Sequence, residues 1–204
     1  MLKDDTEEDF AYLKHHLSEA QAPREWRMEH STDFVKVFRK VNRNHHAHWS
    51  HIVLRCLAQL DHIPKHIVYK ALAEVGLRAK WDHGLGDIEQ LEHIKDKDLT
   101  YFRLRMDVPQ HMQAREAVLV RKVLRDFPQI NQTAIVHRSI GHPRIPENPR
   151  NSVRVETRMD GFIIEDDQSG KGTVLRWFLS TDLMGSLPNS MLNERFVRYQ
   201  VTFI

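Results

Sequence analysis

The residues of this chain best suited to chemistry are histidines, arginines and a few carboxylates. His45, His46, His48 and His51 gather around Trp49, a cluster that invites a metal. Metal ligands must converge with fixed geometry. In an extended segment His46 and His48 share a side, but no acid or second cluster stands nearby. The group reads as a solvated hairpin turn, and neither a metal nor another cofactor is expected. Ser139 and His142 offer a hydroxyl and an imidazole, but no oxyanion loop or GxSxG elbow accompanies them. No catalytic residue is assigned, and the chain reads as a non-enzyme. Cys56, the single cysteine, stands near Leu54 and Leu57 and reads as a small buried hydrophobe.

The arginines are more informative. Arg115, Ala117, Leu119 and Arg121 alternate with Glu116, Val118 and Val120, so strand geometry puts both arginines on one face with apolar neighbours between them. An arginine on an apolar face is costly unless a carboxylate, a phosphate or water meets it. Arg78 precedes Asp82 by one helical ion-pair spacing. Glu156 shares a strand face with Arg154 and Arg158. These groups suit meeting a polar partner or neutralising one another.

The elements that must position them follow from periodicity. Thr6 with Glu7, Glu8 and Asp9 starts a helix whose Phe10, Leu13, Leu17 and Ala20 recur at helical spacing before Pro23. Three antiparallel strands follow, from Trp26, from Phe34 to Val41 and over 49–60. Pro64 opens a second helix with Ile67, Val68, Ala71, Leu72 and Val75 on one stripe and Gly76 near its end. Strands are then expected at 87–95, 99–107, 115–125, 133–140, 152–165 and 172–180. Ser186, Leu187 and Pro188 open a closing helix.

Composition sets the class. Of 204 residues, 41% are hydrophobic and 28% charged, which fits one globular domain over 1–204. Thirty lysines and arginines against 28 acids give a net charge of +2, which argues against a nucleic-acid partner. No stretch is long and apolar enough to span a membrane. The acidic start, Met-Leu-Lys-Asp-Asp, is unlike a secretory signal. The expected location is cytoplasmic, peripheral to membranes, as a monomer.

About nine antiparallel strands need something to cover their concave face, and a sheet gripping a helix is a natural ligand container. The motifs then agree with a family. Arg78-Ala-Lys-Trp81-Asp82, Tyr101-Phe102-Arg103, Arg115 through Arg121, Arg138-Ser139-Ile140-Gly-His142-Pro143, Gly161-Phe-Ile-Ile164 and Asp182-Leu-Met-Gly185-Ser186-Leu187-Pro188 stand in the order of START (StAR-related lipid transfer) domains. The chain resembles that family over nearly its whole length, nearest in layout to phosphatidylcholine-transfer-protein-like members.

The resemblance implies an α+β helix-grip fold, a curved antiparallel sheet of about nine strands around a C-terminal helix with an internal lipid cavity. It implies a lipid ligand, carried between membranes without a bond made or broken. The alternative is a non-transferring lipid-sensing or protein-interaction module. Phe102, Leu104, Met106, Ala117, Leu119, Phe162, Ile164, Phe196 and Val197 are expected to line the cavity, with Arg78, Arg121 and Arg158 at its polar end. Trp81 and Asp82 fit the family's structural motif; Arg78 stands either for a phosphate or for the salt bridge to Asp82. Sterol-binding members pair the residue at Arg121 with an acid on the preceding strand, where Phe102 stands here. Phosphatidylcholine carriers use an aromatic cage, where Leu104, Ala117 and Arg158 stand. The resemblance therefore favours a phospholipid or ceramide-like lipid over sterol, and a headgroup other than choline. The closing helix, with Leu187, Met191, Val197 and Val201 near one face, is expected to be lid and transient membrane contact.

Overall fold

Period-two alternation dominates the chain, and it folds into one ten-stranded sheet in the computed structural model, which describes residues 6–18, 25–40, 51–82, 84–106, 113–148, 150–185 and 187. The strands are β1 (Trp26–Ser31), β2 (Val35–Lys40), β3 (His51–Leu60), β4 (Leu85–Ile94), β5 (Leu99–Met106), β6 (Ala114–Arg125), β7 (Thr133–Ser139), β8 (Ser152–Arg154), β9 (Glu156–Asp166) and β10 (Thr173–Asp182). Their spatial order is β1-β2-β3-β10-β9-β7-β6-β5-β4, antiparallel at every step. β8 lies off this path and pairs in parallel with β6. The architecture is the curved, open antiparallel sheet of a helix-grip fold.

Alternation gives the sheet two apolar faces. On the inner face, Leu54 and Cys56 of β3, Phe102, Leu119, Ile135, Phe162 and Trp177 join one cluster with Val68, Leu72 and Ala73 of α2 (Lys65–Ala73). On the outer face, Val136, Met159, Ile163 and Phe178 receive Phe10, Leu13 and Leu17 of α1 (Thr6–Leu17). A further cluster of Leu91, Tyr101, Val118 and Val120 packs at the β4–β6 end. Asp9 fastens α1 to the sheet, with Lys122 Nζ at 3.0 Å and Arg138 Nε at 2.8 Å from its Oδ2. Gly161 makes the seat possible, because a Cβ there would stand 2.5 Å from Leu13 Cδ1.

Two elements differ from the sequence expectation. The second helix breaks at Glu74, whose backbone is extended (φ −86°, ψ 113°), into α2 and α3 (Val75–Trp81). Gly76 therefore lies in the first turn of α3 and not at a helix end. The break turns Trp81 back so that its Nε1 donates to the Ala71 carbonyl at 3.1 Å, satisfying a group that a helix end leaves open. The strand expected at 152–165 also divides. Ser152–Arg154 runs with β6; Val155 donates its N–H to Glu116 O at 2.8 Å and buries its side chain in the inner core, and the chain then crosses to β7 and β10. The closing helix and the His45, His46 and His48 cluster fall outside the described residues. His51 opens β3, with its Nε2 3.1 Å from Ser180 Oγ.

Candidate functional site

Four strands bring a row of polar residues onto the largely apolar inner face. Register places Thr100 beside Arg121, Arg121 beside His137, and His137 beside Asp160. Asp160 is the hub: its Oδ1 accepts from Trp177 Nε1 at 2.7 Å, and its Oδ2 lies 3.2 Å from His137 Nδ1 and 3.5 Å from Arg78 Nη1. Arg78 also donates through Nε to Asp82 Oδ2 at 3.0 Å. His137, Asp82, Asp160 and Arg78 are 1%, 4%, 5% and 9% exposed, so the whole network is withdrawn from water. Aromatic rings enclose it. Phe102 and Phe162 stand edge-on to the His137 imidazole at 5.5 Å and 6.0 Å, and Phe162 stacks on Trp177.

Arg121 is fixed separately. Its Nη2 donates to Asp98 Oδ1 at 3.0 Å, and its Nη1 donates to the Ala73 carbonyl at the end of α2. Asp98 reaches it from a left-handed residue (φ 45°, ψ 41°) after the single turn Lys95–Lys97. The acid absent at Phe102 is thus supplied by the turn before β5. A guanidinium at a helix C-terminus also meets the negative end of the dipole.

The charges nearly cancel. Arg78 and Arg121 face Asp82, Asp98 and Asp160, leaving one excess negative charge when His137 is neutral. Burial pushes the His137 imidazole below its ordinary value, more than Asp160 raises it. Burial opposes ionisation of Asp160, yet His137, Arg78 and the Trp177 N–H together hold its carboxyl below the usual range. Burial raises Asp82 despite Arg78. For Arg78, burial acts downward but Asp160 and Asp82 outweigh it, and the guanidinium is held charged.

A pH dependence follows. Because the folded His137 binds a proton less readily than the unfolded chain, its contribution to stability is full above about pH 6.5 and is lost as pH falls toward the folded value. Urea unfolding at about pH 7.5 and about pH 5.5 should show a larger acid loss for the natural protein than for His137→Gln. Asp82 acts with the opposite sign at lower pH, but it is present in both proteins and drops out of the difference.

The structure gathers most of the sequence-derived residues. Phe102, Leu104, Ala117, Leu119, Phe162 and Ile164 are buried together on the inner face, and Met106 packs against the same cluster. Arg78, Asp82 and Arg121 lie there too, with Trp81 at the margin. Arg158 does not. It is exposed, with its guanidinium 5.1 Å from the Tyr12 ring of α1 on the outer face. The reason is a β-bulge: Met159 pairs with Ser180 and Thr157 with Thr181, so Arg158 is skipped and the alternation resets. Arg115 shares the face of Arg121, but its guanidinium donates to the carbonyls of Leu183, Met184 and Gln113. Phe196 and Val197 fall outside the described residues.

His137, Asp160, Asp98 and Trp177 were not singled out by sequence. The available signal was a polar residue inside buried runs, His137 after Thr133-Ala-Ile-Val and Asp160 before Gly161-Phe-Ile-Ile. Cys56 is buried, and burial pushes its thiol up to about 12, which makes it inert. Among the described residues, no group of three or more histidine, cysteine or acidic side chains could hold a metal, and no helix is long and apolar enough to cross a membrane.

A sheet whose inner face combines a broad apolar wall with one buried polar centre belongs to the class of helix-grip containers. The START domain family model matches residues 21–204, and the chain belongs to that family. Human STARD10 superposes with a TM-score of 0.77 at 19% identity over 100% of this chain and 79% of that one. Human StAR-related lipid transfer protein 5 gives 0.77 at 21% identity, covering 97% and 91% of the two chains. A STAR-related lipid transfer protein fragment from Xanthomonas axonopodis gives 0.69 at 16% identity, covering 88% and 94%. No curated protein sequence matches.

Proposed function

We propose that this protein binds a single lipid against the inner face of its sheet and exchanges it between membranes, without catalysing a reaction. The observation that carries the reading is the pairing of a continuous apolar wall with a buried, hydrogen-bonded polar centre. Such a surface shields acyl chains from water while offering one place for polar atoms. START membership and the lipid-transfer relatives support it. The protein's contribution is to replace the aqueous barrier to lipid exchange with a sheltered one.

A headgroup other than choline fits this interior best. Choline binding uses aromatic faces around the cation, whereas Leu104 and Ala117 are aliphatic and Arg158 is turned outward. Native mass spectrometry of the purified chain should find one lipid per protein. In a vesicle competition, phosphatidylcholine should lose to at least one lipid without choline. A lipid-free protein that extracts nothing from vesicles would overturn the reading.

A further inference from the structure

The polar centre is charged and its two arginines already face three carboxylates, although the buried Arg121 Nε makes no hydrogen bond. Arg78 is held between Asp82 and Asp160, and Arg121 between Asp98 and the Ala73 carbonyl. Arg115, the other arginine of the β6 inner face, lies six residues from Arg121, about 20 Å along an extended strand, and is engaged by three carbonyls. A phosphate entering the centre would add to its excess of negative charge unless it displaced an aspartate from one of these arginines. Either is unfavourable in a site removed from water.

His137 offers the opposite. A carboxylate oxygen lies 3.2 Å from Nδ1 without a well-aligned hydrogen bond, and its charge favours the proton of the neutral ring on that nitrogen, which leaves a lone pair on Nε2. The two ring nitrogens diverge, so Nε2 is directed away from Asp160, on a ring whose flanks meet Phe102 and Phe162. Among the described residues no hydrogen bond reaches Nε2. An acceptor so placed in an apolar wall is poorly satisfied until a donor arrives.

We infer that the inner face selects an uncharged lipid whose hydroxyl donates to His137 Nε2, and that it discriminates against phosphate headgroups. Asp160 is the positioning residue that fixes the tautomer, itself held by Trp177 and Arg78. The inference rests on the lipid-binding reading and narrows it from a phospholipid or ceramide-like cargo to the uncharged, hydroxyl-bearing class.

A matched pair tests it. Dioleoylglycerol and dioleoylphosphatidate share their acyl chains and differ in whether the third position carries a free hydroxyl or a phosphate. Offered at equal density in separate phosphatidylcholine vesicles at neutral pH, dioleoylglycerol should be extracted at least about tenfold better. His137→Phe should lose most of that advantage, and His137→Gln, which keeps an acceptor, should recover part of it. Equal or better extraction of phosphatidate by the natural protein overturns the inference, as does an unaltered preference in folded His137→Phe. The comparison on the natural protein decides the matter even if the phenylalanine variant does not fold. Extraction of no lipid of any class overturns the lipid-binding reading as well; phosphatidate carried in preference overturns the inference alone.

Discussion

Replacing Asp160 with leucine is expected to destabilise the protein by about 3–5 kcal/mol, the cost of removing one partner from a buried ion pair. One carboxylate serves Trp177 Nε1, His137 and Arg78, and its loss leaves three donors without water to replace it. Arg78 then keeps the Asp82 carboxylate. For a chain of this length, a loss of that size lowers the thermal midpoint on the order of 10 °C. Scanning calorimetry or urea unfolding reads it directly. Changing Arg78 to methionine in the same protein should add to the loss, because the buried Asp82 carboxylate then loses the guanidinium that faces it. A double variant as stable as Asp160→Leu would show that the Arg78–Asp82 pair contributes little.

The second large effect is expected at Arg121. Sequence reasoning treats this arginine as a ligand contact, for which a leucine replacement should alter selectivity more than stability. Its geometry adds a structural duty, since one guanidinium ties the end of α2 to the turn before β5. Arg121→Leu removes two charge-assisted hydrogen bonds and leaves the Ala73 carbonyl open, at a cost of about 2–3 kcal/mol. The cost is smaller than at Asp160 because the Asp98 side chain is 44% exposed and rehydrates when its partner leaves. Arg121→Lys should recover only part, because a single ammonium does not reproduce the fork that reaches both acceptors. Unfolding curves of the two variants, compared under one condition, check the order of effects.

The elements were legible because their signals are local. Alternation along Arg115–Arg121 placed Ala117, Leu119 and Arg121 on one side without any knowledge of neighbouring strands, and that side is the inner face. The i,i+4 spacing of Arg78 and Asp82 marked a pair that forms. The hub of the site was not legible for the converse reason. His137 and Asp160 meet only through the register of β7 with β9, and Asp98 meets Arg121 only because a turn carries it back across the start of β5. Periodicity assigns a residue to a face but does not fix its partner on the next strand. The same rule failed at Arg158, because a bulge breaks the alternation from which its direction was read. The break at Glu74 escaped notice because the apolar stripe continues through it to Val75.

The position of β10 bears on how the chain reaches this shape. Strands formed early and late in the sequence meet at its seam with β3, where His51 and Ser180 touch across a separation of 129 residues. The three-stranded N-terminal meander joins the remainder of the sheet through that seam. During synthesis, β1, β2 and β3 therefore emerge well before the strand that completes their inner edge. Pairings of such high contact order favour slow folding, because a long loop must close before the contact returns any stabilisation. Until β10 arrives, β3 presents an unpaired edge of alternating apolar residues, the kind of surface that recruits other chains. The same seam that unites the finished sheet makes the nascent chain most exposed to aggregation over the interval in which β4 to β9 are being made.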